Sequence, residues 1–163
     1  MKRMATAGYS LAAMLWVIPT VDYLANVWPL RVGDAQWRYG SEGLLAGFLL
    51  TPLLGLALAA GIAAWRGHGR TLRILGWLSG LSVAALLVTW GDFALNVLQV
   101  RSSVPQPALN RFDIGATKAI AEYLLVTLGL IISAVALIRT ARAMRVDAPS
   151  SPLVVARQQP KKH

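Results

Sequence analysis

The sequence predicts an all-α membrane protein, a four-transmembrane-helix bundle made of two tandem helical hairpins. Three observations carry that prediction. Apolar residues make up 56% of the chain and charged residues only 14%, well away from an average soluble domain. Four long apolar segments each reach the ~20 residues that a helix needs to cross a bilayer core. A polar phrase written in the first segment, VDYLANVWPLR (Val21–Arg31), returns in the third as GDFALNVLQVR (Gly91–Arg101).

The first segment is Tyr9–Leu30. Its start, MKRMATAGYSLAAMLWVI, has the basic and apolar regions of a signal peptide, but Pro19 and Asp22 stand where a small-residue cleavage site belongs. The segment is therefore read as a retained span. The second is Gly43–Trp65, the third Ile74–Val100 and the fourth Ala119–Ile138. Pro19 and Pro52 are poor residues for a soluble helix, yet membrane helices tolerate proline because neighbours re-satisfy the freed carbonyls. The connections Arg31–Glu42, Arg66–Arg73 and Arg101–Lys118 are too short for a separate domain. Residues 1–145 thus form one transmembrane domain. Residues 146–163, with Pro149, Pro152 and the ending ARQQPKKH, read as a disordered basic tail.

Orientation follows from Lys and Arg. Eleven lie at one end of the predicted bundle: Lys2, Arg3, Arg66, Arg70, Arg73, Arg139, Arg142, Arg145, Arg157, Lys161 and Lys162. Five lie at the other: Arg31, Arg38, Arg101, Arg111 and Lys118. The first end should be cytoplasmic, with both termini inside. The same rule explains the net charge of +9 without nucleic acid, which is not expected as a partner.

The repeat extends beyond the opening phrase. At an offset of seventy, Asp22, Asn26 and Arg31 meet Asp92, Asn96 and Arg101. After a three-residue gap, Arg38-Tyr39 meets Arg111-Phe112. Residues 9–65 thus look like one copy and 74–138 like the other. Two crossings per copy keep both in the same orientation, as in parallel-repeat transporters.

Asp22 and Asn26, like Asp92 and Asn96, are four apart and share a helix face. With Glu122 they form the candidate polar site. Ionisable residues within spans are expensive and should face the bundle interior or a hydrated vestibule. One reading makes these pairs interhelical contacts that fix register. The other has them face each other across the pseudo-axis as a pocket for a cation, a proton or a polar head group. The outer loop DAQWRYGSEG supplies candidate contact residues Trp37, Arg38 and Tyr39, joined by Arg31, Arg101 and Arg111. An aromatic belt with a snorkelling Arg accounts for that loop as well as a ligand lip does. Small residues at intervals of four, including Gly43, Gly47, Gly55, Gly76, Gly80 and Gly129, mark close helix approach.

No cysteine is present, so disulfides, Cys-ligated metals and thiol chemistry are excluded. Neither His68 nor His163 lies in an apolar run, which excludes a haem held between intramembrane histidines. No phosphate-binding Gly-Lys loop, His-Glu-x-x-His or Ser-His-Asp set occurs. No cofactor or metal site is expected, and no enzymatic activity; the one enzymatic alternative is a membrane enzyme with a quinone or lipid substrate, whose pocket needs little signature.

The run WRYGSEGLLAGFLLTPLLGLALA, preceded by D-x-x-x-N-V, resembles uncharacterised small bacterial four-span inner-membrane proteins. The resemblance implies a location in the bacterial inner membrane and brings no activity. The expected role is a structural or accessory subunit packing against partner subunits, in a respiratory or photosynthetic type of complex, or against a second copy. The alternative is a small transporter or cation- or lipid-binding protein built on the Asp-Asn pairs.

Overall fold

The computed structural model describes residues 2–146; the predicted tail, with Asp147, lies outside the described residues. The described chain is helical, in five α-helices and one 3₁₀ turn. They are α1 (Lys2–Val27), α2 (Ala35–Phe48), α3 (Leu50–Trp65), α4 (Gly69–Arg101) and α5 (Leu109–Val146). The turn is Gln106–Ala108. Four stretches are long and apolar enough to cross a membrane: Arg3–Val27, Ala35–Trp65, Gly69–Arg101 and Gln106–Arg145. The second contains α2 and α3 together.

The boundaries differ from the sequence expectation at both ends. α1 starts at Lys2, not Tyr9, and stops at Val27, before Leu30. Pro29 accounts for the stop, because proline pushes the residue before it out of the helical region. The predicted outer loop DAQWRYGSEG is helix. Asp34 caps it, its Oδ1 accepting from the backbone N–H of Gln36 at 2.8 Å and of Trp37 at 3.4 Å. Likewise α5 begins ten residues before Ala119, at Leu109. Both errors have one cause: these outer turns are amphipathic, so an apolar-run criterion ends before the helix does.

The second span is broken at Leu49. Pro52 has no N–H to give the carbonyl of Phe48, and its ring crowds that carbonyl. The chain tightens there, with Leu49 N–H bonding the Ala46 carbonyl at 3.3 Å. α3 ends in a Schellman motif. Gly67 takes φ of 68°, and His68 N–H bonds back to the Ala63 carbonyl at 2.8 Å.

Packing is uneven. α4 and α5 form the most extensive helix pair, and α1 packs chiefly on α3. α1 brings no Cα within 8 Å of α4 or α5. The second span therefore sits in the middle, with α1 on one side and the α4–α5 hairpin on the other. Burial follows: only 11% of the most apolar window of the first span is buried, against 28% for the fourth. The main core gathers Ala46, Leu56, Leu86, Phe93, Tyr123, Val126 and Leu130. A second cluster, Ala63, Leu72, Leu137 and Ala141, closes the basic end.

Two glycines permit these approaches. A Cβ on Gly55 would lie 2.9 Å from the Ala12 carbonyl oxygen, so α3 holds α1 at backbone contact. A Cβ on Gly76 would lie 2.8 Å from Ile138 Cγ1 and 3.4 Å from the Ala134 carbonyl oxygen, which brings α4 onto α5. Gly47 and Gly80 face open space and support no such contact. The predicted small-residue ridge is thus in part a packing device.

Candidate functional site

The polar residues of the half away from the basic end meet on α2, α4 and α5. Asn96 is buried, 1% exposed. Its amide Nδ2 donates to Glu42 Oε2 at 3.0 Å and to Asp92 Oδ2 at 3.3 Å. One amide therefore links two carboxylates from two spans. Arg38 Nη1 lies 4.0 Å from Asp92 Oδ1, one turn before Glu42 on α2. From α5, the buried Tyr123 hydroxyl donates to the Glu42 backbone carbonyl at 2.7 Å.

Aromatic rings wall the cluster. Tyr39 stacks on Phe93 at 5.5 Å and on Phe112 at 4.8 Å between ring centroids. Phe93 tilts against Tyr123 at 5.9 Å. This layer joins α2, α4 and α5 beside the carboxylates, and Phe93 and Tyr123 belong to the main core as well. Glu42 and Asp92 are only half-buried, so the cluster reaches solvent or head groups on its open side.

The first polar pair has different surroundings. Asp22 and Asn26 are both exposed. Asn26 Nδ2 donates to the Asp22 carbonyl at 2.8 Å and to Asp22 Oδ1 at 3.2 Å. With α1 held away from α4, the two Asp-Asn pairs do not face each other, and a shared pocket between them is not formed. A cleft of about 390 Å³ separates the two helices instead, lined by residues including Trp16, Tyr23, Pro52, Ser82, Thr89 and Val126.

The other expected residues divide. Trp37 is a tether: its indole N–H donates to the Val27 carbonyl at 3.2 Å, fastening α2 to the end of α1. Tyr39 belongs to the aromatic layer and Arg38 to the carboxylate cluster. Arg101 makes a two-pronged pair with Asp113, at 2.9 and 3.0 Å, across the α4–α5 turn. Arg31 and Arg111 are exposed. Glu122 pairs with Lys118 at 3.8 Å, one turn away on α5, outside the cluster of Glu42 and Asp92.

Sequence reasoning missed Glu42 and Tyr123. Glu42 falls in what reads as a loop, and at the offset joining Arg38 to Arg111 its counterpart is Gly115, so the repeat gives no signal. The one available signal was Asp34 as a helix cap, which places Arg38 and Glu42 one turn apart on a common face. Among the described residues, no group of three or more His, Cys, Asp or Glu is placed to hold a metal ion.

Four apolar helices of membrane-crossing length define the class: an integral, multi-pass membrane protein. Comparison with protein-family models, curated proteins and solved structures finds no match.

Proposed function

We propose that this chain is a structural or accessory subunit of a bacterial inner-membrane complex, with both termini cytoplasmic. The observation that supports it is the seating of α1. In a self-contained four-helix bundle, the first helix also closes on the others around a common core. Here α1 rests on the second span alone and leaves a cleft open beside α4. It also turns Asp22 and Asn26 outward. An outward carboxylate and amide on a membrane helix are retained where a partner helix or head group meets them. The excess of Lys and Arg at one end supports the orientation, and the resemblance to small bacterial four-span proteins supports the location. The recurrence of Asp-Asn in spans one and three supports a duplicated hairpin whose first copy took on the docking role.

The test is purification from native membranes in mild detergent. A second membrane protein is expected at fixed stoichiometry. Asp22→Leu combined with Asn26→Leu should release it while the chain stays folded. Recovery of the unaltered chain alone, as a monomer or homodimer, contradicts the proposal.

A second reading rests on Glu42, Asp92 and Asn96. Two carboxylates share one amide and one distant Arg38, leaving a formal charge of −1 for a proton or monovalent cation to balance. Cation flux in proteoliposomes that disappears in Glu42→Gln and Asp92→Asn favours transport over the accessory role.

A further inference from the structure

The basic end carries a feature that the accessory role does not use. Gly76 brings α4 against Ile138 and Ala134 of α5. One turn nearer the end of the bundle, that approach opens into a cleft of about 430 Å³ lined by Arg73, Trp77, Ile138, Arg142 and Arg145. Arg139, Arg142 and Arg145 are spaced three apart on α5. The structure joins Arg142 and Arg145 to Arg73 of the neighbouring helix, and Arg139 does not line the cleft.

Three guanidinium groups thus share one cavity. None of them makes an ion pair among the described residues, where Asp92, Asp113 and Glu122 pair with Arg38, Arg101 and Lys118. The rest of the wall is apolar. Trp77 is largely exposed beside Ile138, and Ile74, Leu78 and Leu81 continue an exposed apolar surface along α4. A ligand that satisfies both parts carries more than one negative charge at its head and hydrocarbon below it. Guanidinium forks match phosphate oxygens in pairs, and basic pockets between membrane helices take anionic head groups.

We propose that this cleft is a binding site for an anionic phospholipid, with the phosphates on Arg73, Arg142 and Arg145 and an acyl chain along Trp77 and Ile138. A lipid with two phosphates suits three arginines better than one with a single phosphate. Free phosphate has the same head chemistry but no use for the apolar wall.

Native mass spectrometry of the full chain tests this, with diphosphatidylglycerol, phosphatidylglycerol and phosphatidylcholine added separately. Retention should fall in that order. At about 1 kcal/mol per basic residue near the surface, Arg73→Gln and Arg142→Gln should each weaken diphosphatidylglycerol binding about fivefold. Arg73→Lys should restore most of the loss. Arg139→Gln removes the same charge at the same end and should change binding less than about twofold. Circular dichroism shows whether each variant keeps its helices. Equal losses for Arg139→Gln and Arg73→Gln would overturn the site in favour of diffuse charge. Equal retention of phosphatidylcholine would overturn it as well. Complete displacement of the lipid by millimolar inorganic phosphate would make it a soluble-phosphate site.

Discussion

Asp22–Asn26 and Asp92–Asn96 have the same residues at the same spacing and opposite surroundings. Asn96 is buried and joins Asp92 to Glu42 of another helix. Asn26 is exposed and its amide bonds only within its own helix, to Asp22. The motif does not decide the difference; the neighbouring helix does. α2 brings Arg38 and Glu42 to the second pair, while no helix among the described residues covers the first. A repeated phrase can therefore be a joint in one copy and an outward-facing contact in the other.

The comparison can be broken most strongly at its two asparagines. Asn96→Leu leaves Glu42 and Asp92 without their shared donor and should destabilise the bundle by about 2–3 kcal/mol. Asn26→Leu should change stability by less than about 0.5 kcal/mol, as at other exposed positions. Reversible unfolding in mixed micelles measures both. Similar losses would show that both pairs are joints.

The seating of α1 gives the next effect. Gly55→Val places a side chain against the Ala12 carbonyl and should cost about 1–3 kcal/mol by overpacking. Gly47→Val, facing open space, should be close to neutral in the same unfolding assay. Tyr123→Phe removes the hydroxyl bond to the Glu42 carbonyl and should cost about 1 kcal/mol. Arg101→Gln breaks an exposed, solvent-screened pair and should have the smallest effect of these. A larger loss from Arg101→Gln than from Tyr123→Phe would place the main outer fastening at the turn, not in the three-helix cluster.

The spans themselves were legible because length and apolar composition are sufficient to mark them. Their outer ends were not. Trp37, Arg38, Tyr39 and Glu42 lie on helix but read as loop, because that stretch is amphipathic and the apolar run stops before it. The loop reading in turn hid the site. Asp92 and Asn96 were found as a helical pair, but the partner that gives them meaning, Glu42, has Gly115 at its repeat position. The separation of α1 from α4 was also beyond the sequence. It depends on where Pro52 bends the second span and on which glycine ridge each neighbour occupies.

The chain contains no cysteine, so a single introduced thiol reports one position cleanly. The direct test of the central contrast is the labelling rate of Asn26→Cys against Asn96→Cys in the folded, detergent-solubilised chain, each normalised to its rate after unfolding. Position 26 should label at nearly its unfolded rate, and position 96 should be slower by at least about tenfold, since the bundle must open first. Equal normalised rates at the two positions would contradict the account.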